Sequence, residues 1–83
     1  MSSLLSVLRL RVRAEADPGV LARVLERFQN INVLPRRVIA EYATGEIFHI
    51  EVDVVDVSEH TLSIIAAKVG QTPNVLDAYW HYA

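Results

Sequence analysis

The sequence contains no cysteine. Disulfide bonds, thiolate metal sites and thiol nucleophiles are therefore excluded, and small secreted domains usually depend on disulfides. Residues 1–5 lack the basic segment and apolar run of a signal peptide, and charged residues interrupt every apolar stretch before it reaches the length of a membrane span. We expect a cytoplasmic protein with no membrane association.

An excess of positive charge is absent as well. Eight lysines and arginines stand against ten aspartates and glutamates, which gives a net charge of -2 and a pI near 5.8. Proteins that bind nucleic acid usually present a basic surface, and this composition does not supply one. We therefore expect no nucleic-acid partner.

The apolar content is high for such a short chain. Of its 83 residues, 52% are hydrophobic, and the mean hydropathy is +0.25. A chain of this length forms one small domain that buries a modest share of its surface. We expect a single domain over residues 1–83, with some apolar surface covered by a second subunit in a homodimer or higher oligomer.

Hydrophobic periodicity predicts six secondary-structure elements. Strict alternation of apolar and charged residues is typical of a strand with one buried face, and apolar residues at intervals of three and four are typical of a helix. The predicted elements are a strand at 8–16, a helix at 18–29, strands at 34–43 and 46–55, a helix that Ser58 caps and that ends at Gly70, and a strand at 75–82.

This order of elements predicts an α+β fold. The expected architecture is a ferredoxin-like βαββαβ two-layer sandwich, a four-stranded antiparallel sheet with two helices on one face. The other face should be polar, with charge pairs between the first and third strands. The residues expected on that face are Arg9, Arg11, Arg13, His49, Glu51 and Asp53.

The junction between the first strand and the first helix has the chemistry of a small anion site. Asp17 can cap the helix, Pro18 suits its first position, and Gly19 leaves backbone amides uncovered. Such amides attract carboxylates and phosphates. The same residues also begin many helices that bind nothing, so the motif alone fits either a helix start or a ligand site.

The sequence offers no arrangement typical of a catalytic or metal site. We find no nucleophile with an adjacent base and no carboxylate pair set for acid and base catalysis. His49, His60 and His81 lie on separate predicted elements, at spacings unlike those of a metal site. We expect that the protein is not an enzyme and holds no metal or other cofactor.

Two short motifs flank the first helix, and a phenylalanine lies within it: Asp17-Pro18-Gly19-Val20-Leu21, Ile31-Asn32-Val33 and Phe28. After an alternating strand, this pattern resembles the ACT domain family over residues 8–82. The resemblance implies a regulatory module that binds amino acids or other small molecules, usually between two domains. In size the chain is most similar to the small regulatory subunit of acetohydroxyacid synthase, which adjusts a separate catalytic subunit in response to branched-chain amino acids.

By this resemblance, an amino acid effector would bind between the first loop of one subunit and the Asn32 region of its neighbour. The Asn32 amide carries both donors and acceptors, so it could bind the ammonium and carboxylate groups together. The expected ligand-binding residues are Asp17, Pro18, Gly19, Val20, Leu21, Ile31, Asn32 and Val33.

Two functions remain open. The first is a dimeric regulatory domain that binds an amino acid and acts on an enzyme of amino acid metabolism, such as the catalytic subunit of acetohydroxyacid synthase. The second is a ligand-free assembly domain, because Ala16 and Asn30 replace the polar residue and the glycine that typical ACT domains carry beside the two motifs.

Overall fold

The computed structural model describes residues 6–83, and the expectation about a signal peptide at residues 1–5 lies outside the described residues. Neither helix within that range has the length and apolarity needed to cross a membrane. The elements are β1 (Leu8–Glu15), α1 (Val20–Gln29), β2 (Arg37–Tyr42), a 3-10 turn (Thr44–Glu46), β3 (Ile47–Val54), α2 (Glu59–Gly70) and β4 (Val75–Tyr82).

The four strands form one antiparallel sheet in the order β2-β3-β1-β4. β1 is therefore central, and its Val12 pairs with Ile50 of β3 and Ala78 of β4. Both helices pack on the face of the sheet that carries these residues. The βαββαβ two-layer sandwich predicted from the order of elements is confirmed.

The core lies between this face and the apolar sides of the helices. Side chains at helical spacing on α1 and α2 meet every second side chain of β1 and β3, which is why both periodicities are visible in the sequence. The buried core residues are Leu8, Leu10, Val12, Ala14, Val20, Val24, Phe28, Ile50, Val52, Val54, Leu62, Ile65, Ala66 and Val69.

The helix ends follow local chemistry. Ser58 caps α2 as predicted, since its hydroxyl accepts the Thr61 amide at 3.0 Å. After α1, Asn32 adopts a left-handed conformation with φ of 57°, as expected for an asparagine where a helix ends. This turn directs the chain away from α1 and into β2.

β2 is the edge strand beside β3, and it is shorter than predicted. It begins at Arg37 rather than at residue 34, because Pro35 cannot donate a hydrogen bond to the sheet. Its residues Val38 and Tyr42 are 39% and 70% exposed, although they lie on the helix side of the sheet. The helices therefore leave the helix side of β2 partly uncovered.

The turn between β2 and β3 has three residues instead of the predicted Thr44-Gly45 pair. Residues Thr44–Glu46 form the turn, and the Ala43 amide donates to the Ile47 carbonyl at 2.7 Å. Gly45 and Glu46 adopt left-handed conformations with φ of 73° and 62°. The additional residue is Glu46, and its left-handed conformation helps the chain to reverse direction.

The helix-free face of the sheet carries the predicted charge pairs between β1 and β3. Arg9 donates two hydrogen bonds to Asp53, from Nε at 2.7 Å and from Nη2 at 3.0 Å. Arg11 Nη2 lies 2.5 Å from Glu51 Oε2. The Arg9 guanidinium holds the pKa of Asp53 below its ordinary value, although burial acts in the opposite direction.

Arg13 pairs with β4, because its neighbour on β3 is His49 rather than a carboxylate. Its Nη2 lies 2.6 Å from Asp77 Oδ2, and the two side chains are 52% and 43% exposed. The Asp53 side chain is only 7% exposed. Among the ion pairs of this face, the Arg9–Asp53 pair is therefore the more buried and the Arg13–Asp77 pair is exposed to solvent.

We expect Asp53→Asn to lower the free energy of unfolding by about 1–3 kcal/mol at neutral pH, because Arg9 loses a charged hydrogen-bond partner. The lowered pKa of Asp53 means that its charge stabilises the fold above the pKa of the unfolded chain. This contribution is lost as the pH falls through the folded-state pKa. Urea denaturation should show the gap between wild type and variant narrowing below about pH 4.

Asp77→Asn is the matched control, since it removes the solvated carboxylate from the same face. Exposed ion pairs contribute about 0–1 kcal/mol to stability, so Asp77→Asn should lower the free energy of unfolding less than Asp53→Asn does. If both variants lowered the free energy of unfolding equally, the Arg9–Asp53 pair would have no special role in stability.

Candidate functional site

Residues 16–19 connect β1 to α1 and form the first half of the predicted ligand site. The Ala16 amide donates to the Glu46 carbonyl at 2.9 Å, and the Val20 amide donates to the Asp17 carbonyl at 3.1 Å. The first bond holds the loop against the turn between β2 and β3, and the second closes a tight turn before the helix. The loop is therefore a fixed part of the fold.

Asp17 does not cap α1 in the predicted way. The capping position is Gly19, without a side-chain hydrogen bond, and Asp17 lies two residues before it. Asp17 Oδ2 instead accepts the Gly19 amide at 3.0 Å and Arg23 Nη2 at 2.7 Å. The Gly19 amide, which we expected to be uncovered, is therefore already hydrogen-bonded.

The Asp17–Arg23 ion pair determines the electrostatics of this loop. The Arg23 guanidinium is the main group that lowers the pKa of Asp17, and the Gly19 amide adds to the effect. The Asp17 side chain is 35% exposed and the Arg23 side chain is 38% exposed. A molecule that approaches the loop meets a negative and a positive group side by side, and not a purely positive helix end.

Gly19 is required for space rather than for an unusual backbone angle. Its φ is -92°, which any residue adopts. A Cβ atom at this position would lie 2.7 Å from Arg23 Nη1 and 3.4 Å from Asp17 Oδ2. The sequence suggested that Gly19 leaves room for a ligand to approach the backbone. In the structure, the Arg23 side chain of the same chain occupies that space.

The other residues of the first motif have different surroundings. Pro18 is exposed, Leu21 is half-buried against the core, and Val20 is fully buried. Val20 can therefore offer a ligand only its backbone, whereas Pro18 and Leu21 can offer side-chain surface.

The second motif lies at the opposite end of α1. Ile31 is 44% exposed, Asn32 is exposed and Val33 is half-buried. Asn32 and Val33 line an open and mainly apolar groove of about 590 Å³ between α1 and β2. The residues that line this groove are Leu25, Gln29, Asn32, Val33, Leu34, Pro35 and Val38.

The two motifs are too far apart to hold one amino acid within a single chain. The ten residues of α1 separate them, and at 1.5 Å per residue this is about 15 Å along the helix. A single amino acid could contact both motifs only if one of them came from a second copy of the chain.

Several residues around the site were not among those predicted, and Arg23 and Leu34 are two of them. Arg23 lies four positions after Gly19, so helical spacing could have indicated that its side chain reaches the loop. Leu34 is 87% exposed beside the groove. No pattern in the sequence distinguishes it from a core leucine, because the exposure depends on where α1 lies relative to β2.

The helix-free face has a shallow basin of about 400 Å³. Glu41, His49 and Tyr79 lie around it, together with the arginines and acids already paired across the strands. Within residues 6–83, no group of three or more histidine or acidic side chains is placed to hold a metal ion. We find no second site there with a built set of ligands.

The fold is shared with solved structures whose sequences differ widely from this one. The C-terminal domain of the MgtC protein from Mycobacterium tuberculosis matches with a TM-score of 0.78 and 16% identity, over 100% of this chain and 93% of that chain. The ACT domain of GTP pyrophosphokinase from Chlorobium tepidum matches with a TM-score of 0.77 and 13% identity, over 94% of this chain and 100% of that chain.

The regulatory subunit of aspartate kinase from Thermus flavus is also similar, with a TM-score of 0.74 and 13% identity, over 94% of this chain and 52% of that chain. Comparison with curated proteins finds none that matches the sequence. The model of the ACT-like domain family matches residues 2–82, nearly the whole chain. The chain belongs to the ACT-like domain family.

Proposed function

We propose that this protein is a regulatory domain that acts as a pair of copies and binds an amino acid between them. ACT domains are regulatory and often bind amino acids. The observation that carries the proposal is the placement of the two motifs at opposite ends of α1, about 15 Å apart. A shared ligand therefore requires a second copy, and the high apolar content is consistent with one.

The loop has groups that complement a zwitterion. The guanidinium of Arg23 would attract the ligand carboxylate, and the carboxylate of Asp17 would attract the ammonium group, since the two side chains lie side by side and partly exposed. The Asn32 amide of the partner subunit could bind either group. A free carboxylate without an amine would be repelled by Asp17, so the site favours amino acids over simple acids.

The apolar groove supplies a place for the ligand side chain. Leu25, Val33 and Val38 present aliphatic surface there, and Leu34 extends beside them with 87% exposure. Aliphatic walls favour an aliphatic side chain because burying apolar surface is favourable. We therefore propose a branched-chain amino acid as the ligand class.

The effect of the ligand would be exerted on an enzyme of amino acid metabolism, such as acetohydroxyacid synthase. Two of the similar structures are an ACT domain of GTP pyrophosphokinase and a regulatory subunit of aspartate kinase, and these similarities support an enzyme as the regulated partner. Regulation requires that the ligand bind one arrangement of the pair better than another.

A ligand-free assembly domain is the second candidate, and one observation favours it. The Asp17 carboxylate already accepts the Gly19 amide and the Arg23 guanidinium. The Asp17 side chain thus already binds the amide and the guanidinium that would otherwise bind a ligand carboxylate. In this function, the pair of copies would form without any small molecule.

A thermal-shift screen against the twenty amino acids separates the two candidates. A ligand that binds only the folded pair should stabilise it by about 2.7 kcal/mol at a hundredfold excess over its dissociation constant. We expect a selective rise of the melting temperature with valine, leucine or isoleucine. A flat screen on a stable dimer would contradict the amino acid site and favour the assembly domain.

Gly19→Ala tests whether the loop takes part in binding. A Cβ atom would displace the Arg23 guanidinium, which lies 2.7 Å from its position. We expect the affinity for the amino acid found in the screen to fall about tenfold, the loss of one hydrogen bond to a charged group, in isothermal titration calorimetry. Gly70→Ala is the matched control, since its Cβ atom would meet nothing within 4 Å. Equal affinities for the two variants would contradict the role of the loop.

Asn32→Gly tests whether the Asn32 amide binds the ligand. Glycine keeps the left-handed backbone, where φ is 57°, without strain, so we expect a stable dimer with affinity about tenfold lower, measured in the same way. Asn32→Ala removes the same amide but adds backbone strain of about 1–2 kcal/mol. If Asn32→Gly binds like wild type, Asn32 serves only the turn.

A further inference from the structure

Arg23 carries an unsatisfied donor beside the loop at residues 16–19. Its Nη2 donates to Asp17 Oδ2 at 2.7 Å, whereas its Nε is buried and has no hydrogen-bond partner among residues 6–83. Nε and Nη2 lie on the same edge of the guanidinium, where a carboxylate can bind with one oxygen on each nitrogen. Asp17 therefore uses only half of the edge that Arg23 offers to a carboxylate.

Arg9 shows the complete arrangement in the same chain. Its Nε donates to Asp53 Oδ1 at 2.7 Å and its Nη2 donates to Asp53 Oδ2 at 3.0 Å, so each carboxylate oxygen has its own donor. In the loop, a single oxygen of Asp17 accepts both the Gly19 amide and Arg23 Nη2. The Asp17–Arg23 pair is thus less complete than the Arg9–Asp53 pair, and both of its side chains are more exposed.

We propose that the Asp17 carboxylate is a built-in competitor for the ligand of this loop, and that the ligand carboxylate replaces it on Arg23. This inference rests on the proposed function, because it states how a carboxylate enters the same loop. The incoming carboxylate binds Nε and Nη2 of Arg23 with one oxygen each. The ligand thereby gains a hydrogen bond that the internal pair lacks.

The exchange requires the movement of one side chain and no change of the backbone. The loop is held by the bond from the Ala16 amide to the Glu46 carbonyl and by the bond from the Val20 amide to the Asp17 carbonyl. Neither bond involves the Asp17 carboxylate. Asp17 and Arg23 are both partly exposed, and ion pairs near the surface contribute little to stability. Rotation of the Asp17 side chain can therefore release Arg23 while the fold stays intact.

The displaced carboxylate determines which ligands can make the exchange. In an amino acid, the ammonium group is attached to the carbon atom next to the carboxylate. A ligand carboxylate on Arg23 therefore places the ammonium group near Asp17, which regains a positive partner. A carboxylic acid without an amine leaves Asp17 beside a second negative group. Asp17 thus makes the exchange favourable for amino acids and unfavourable for other carboxylates.

An internal competitor also lowers the affinity for every carboxylate. When a site is free for only a fraction of the time, the apparent dissociation constant is the intrinsic constant divided by that fraction. The Arg23 guanidinium and the Gly19 amide hold the pKa of Asp17 below its ordinary value, so Asp17 is charged at neutral pH. Removing this charge should turn the loop into a site for simple carboxylates.

Asp17→Asn in the full chain tests the competition. Asparagine keeps a side-chain oxygen for the Gly19 amide but has no charge with which to hold Arg23. The probes are leucine and 4-methylpentanoate, which is leucine without its amine, and the measurement is isothermal titration calorimetry. We expect Asp17→Asn to bind 4-methylpentanoate about tenfold more tightly than wild type, or better. The preference for leucine over 4-methylpentanoate should fall by at least the same factor.

Two further variants connect this gain to Arg23. The double variant Asp17→Asn, Arg23→Lys keeps the positive charge but lacks the Nε donor, so it should lose the gained affinity. Asp77→Asn is the matched control, because it frees Arg13 from its carboxylate on the helix-free face of the sheet. It should bind 4-methylpentanoate no more tightly than wild type. Circular dichroism should show that all variants are folded.

The outcomes separate this proposal from the proposed function. If Asp17→Asn binds 4-methylpentanoate like wild type, the competition is overturned, and leucine binding by wild type would still support the amino acid site. A gain that persists in the double variant, or that Asp77→Asn shares, would also overturn the competition. A gain in Asp17→Asn together with a wild type that binds no amino acid would support the competition and reject the amino acid site.

NMR spectroscopy of the arginine side chains gives an independent readout. The Nε–H signal of Arg23 in Asp17→Asn should shift as 4-methylpentanoate is added, because the nitrogen gains an acceptor. The Nε–H signal of Arg9 already has Asp53 as its acceptor and should stay unchanged. Equal shifts of the two signals would show that the carboxylate binds arginines without selection, and would overturn the proposal.

Discussion

The structure depends on the packing of one apolar row of β1 against the two helices. Leu8, Leu10, Val12 and Ala14 are buried on the helix side, and this burial is the main favourable contribution to folding in a chain this small. Because side chains alternate along a strand, the same packing directs the arginines of β1 to the other face. Those arginines are then stabilised by acids on the neighbouring strands, so the polar face follows from the apolar one.

Two helices centred on the inner strands cannot cover both edges of the sheet equally. α2 packs beside β4, where Trp80 Nε1 donates to Ser63 at 2.9 Å. The helix side of β2 is left with exposed Val38 and Tyr42. A groove, an open strand edge and the Asn32 turn thus occur together on one side of the molecule. The proposed second copy and shared ligand would both use this less covered side of the sheet.

The loop before α1 shows how the family pattern and the chemistry of this chain differ. The motif from Asp17 to Leu21 is present, but Asp17 and Arg23 neutralise each other at 2.7 Å. A site built from a helix N-terminus alone would select anions, whereas an ion pair beside it selects molecules that carry both charges. The same pair also makes the loop stable without a ligand, which is why regulation and assembly are both consistent with it.

The sequence by itself determined the type and order of the helices and strands and most of the core, although not the bounds of β2. Strict alternation in β1 and β3 and the helical spacing of the apolar residues in α2 are local patterns, and each reports directly which face is buried. Local chemistry also determined the Ser58 cap and the left-handed Asn32. That arginines of β1 would pair with Glu51 and Asp53 of β3 followed from topology and charge, whereas the register decided that Arg9 meets Asp53.

Only the tertiary structure decided which surfaces remain open and what fills the loop. The exposure of Leu34 and Val38 depends on the position of α1 over the sheet, and the occupation of the Gly19 amide depends on side-chain positions of Asp17 and Arg23. The pairing of Arg13 with Asp77 likewise required the register of β4 beside β1. Hydrophobic periodicity predicts which residues share one face of a strand or helix. How much of that face is buried depends on contacts between elements that are distant in the sequence.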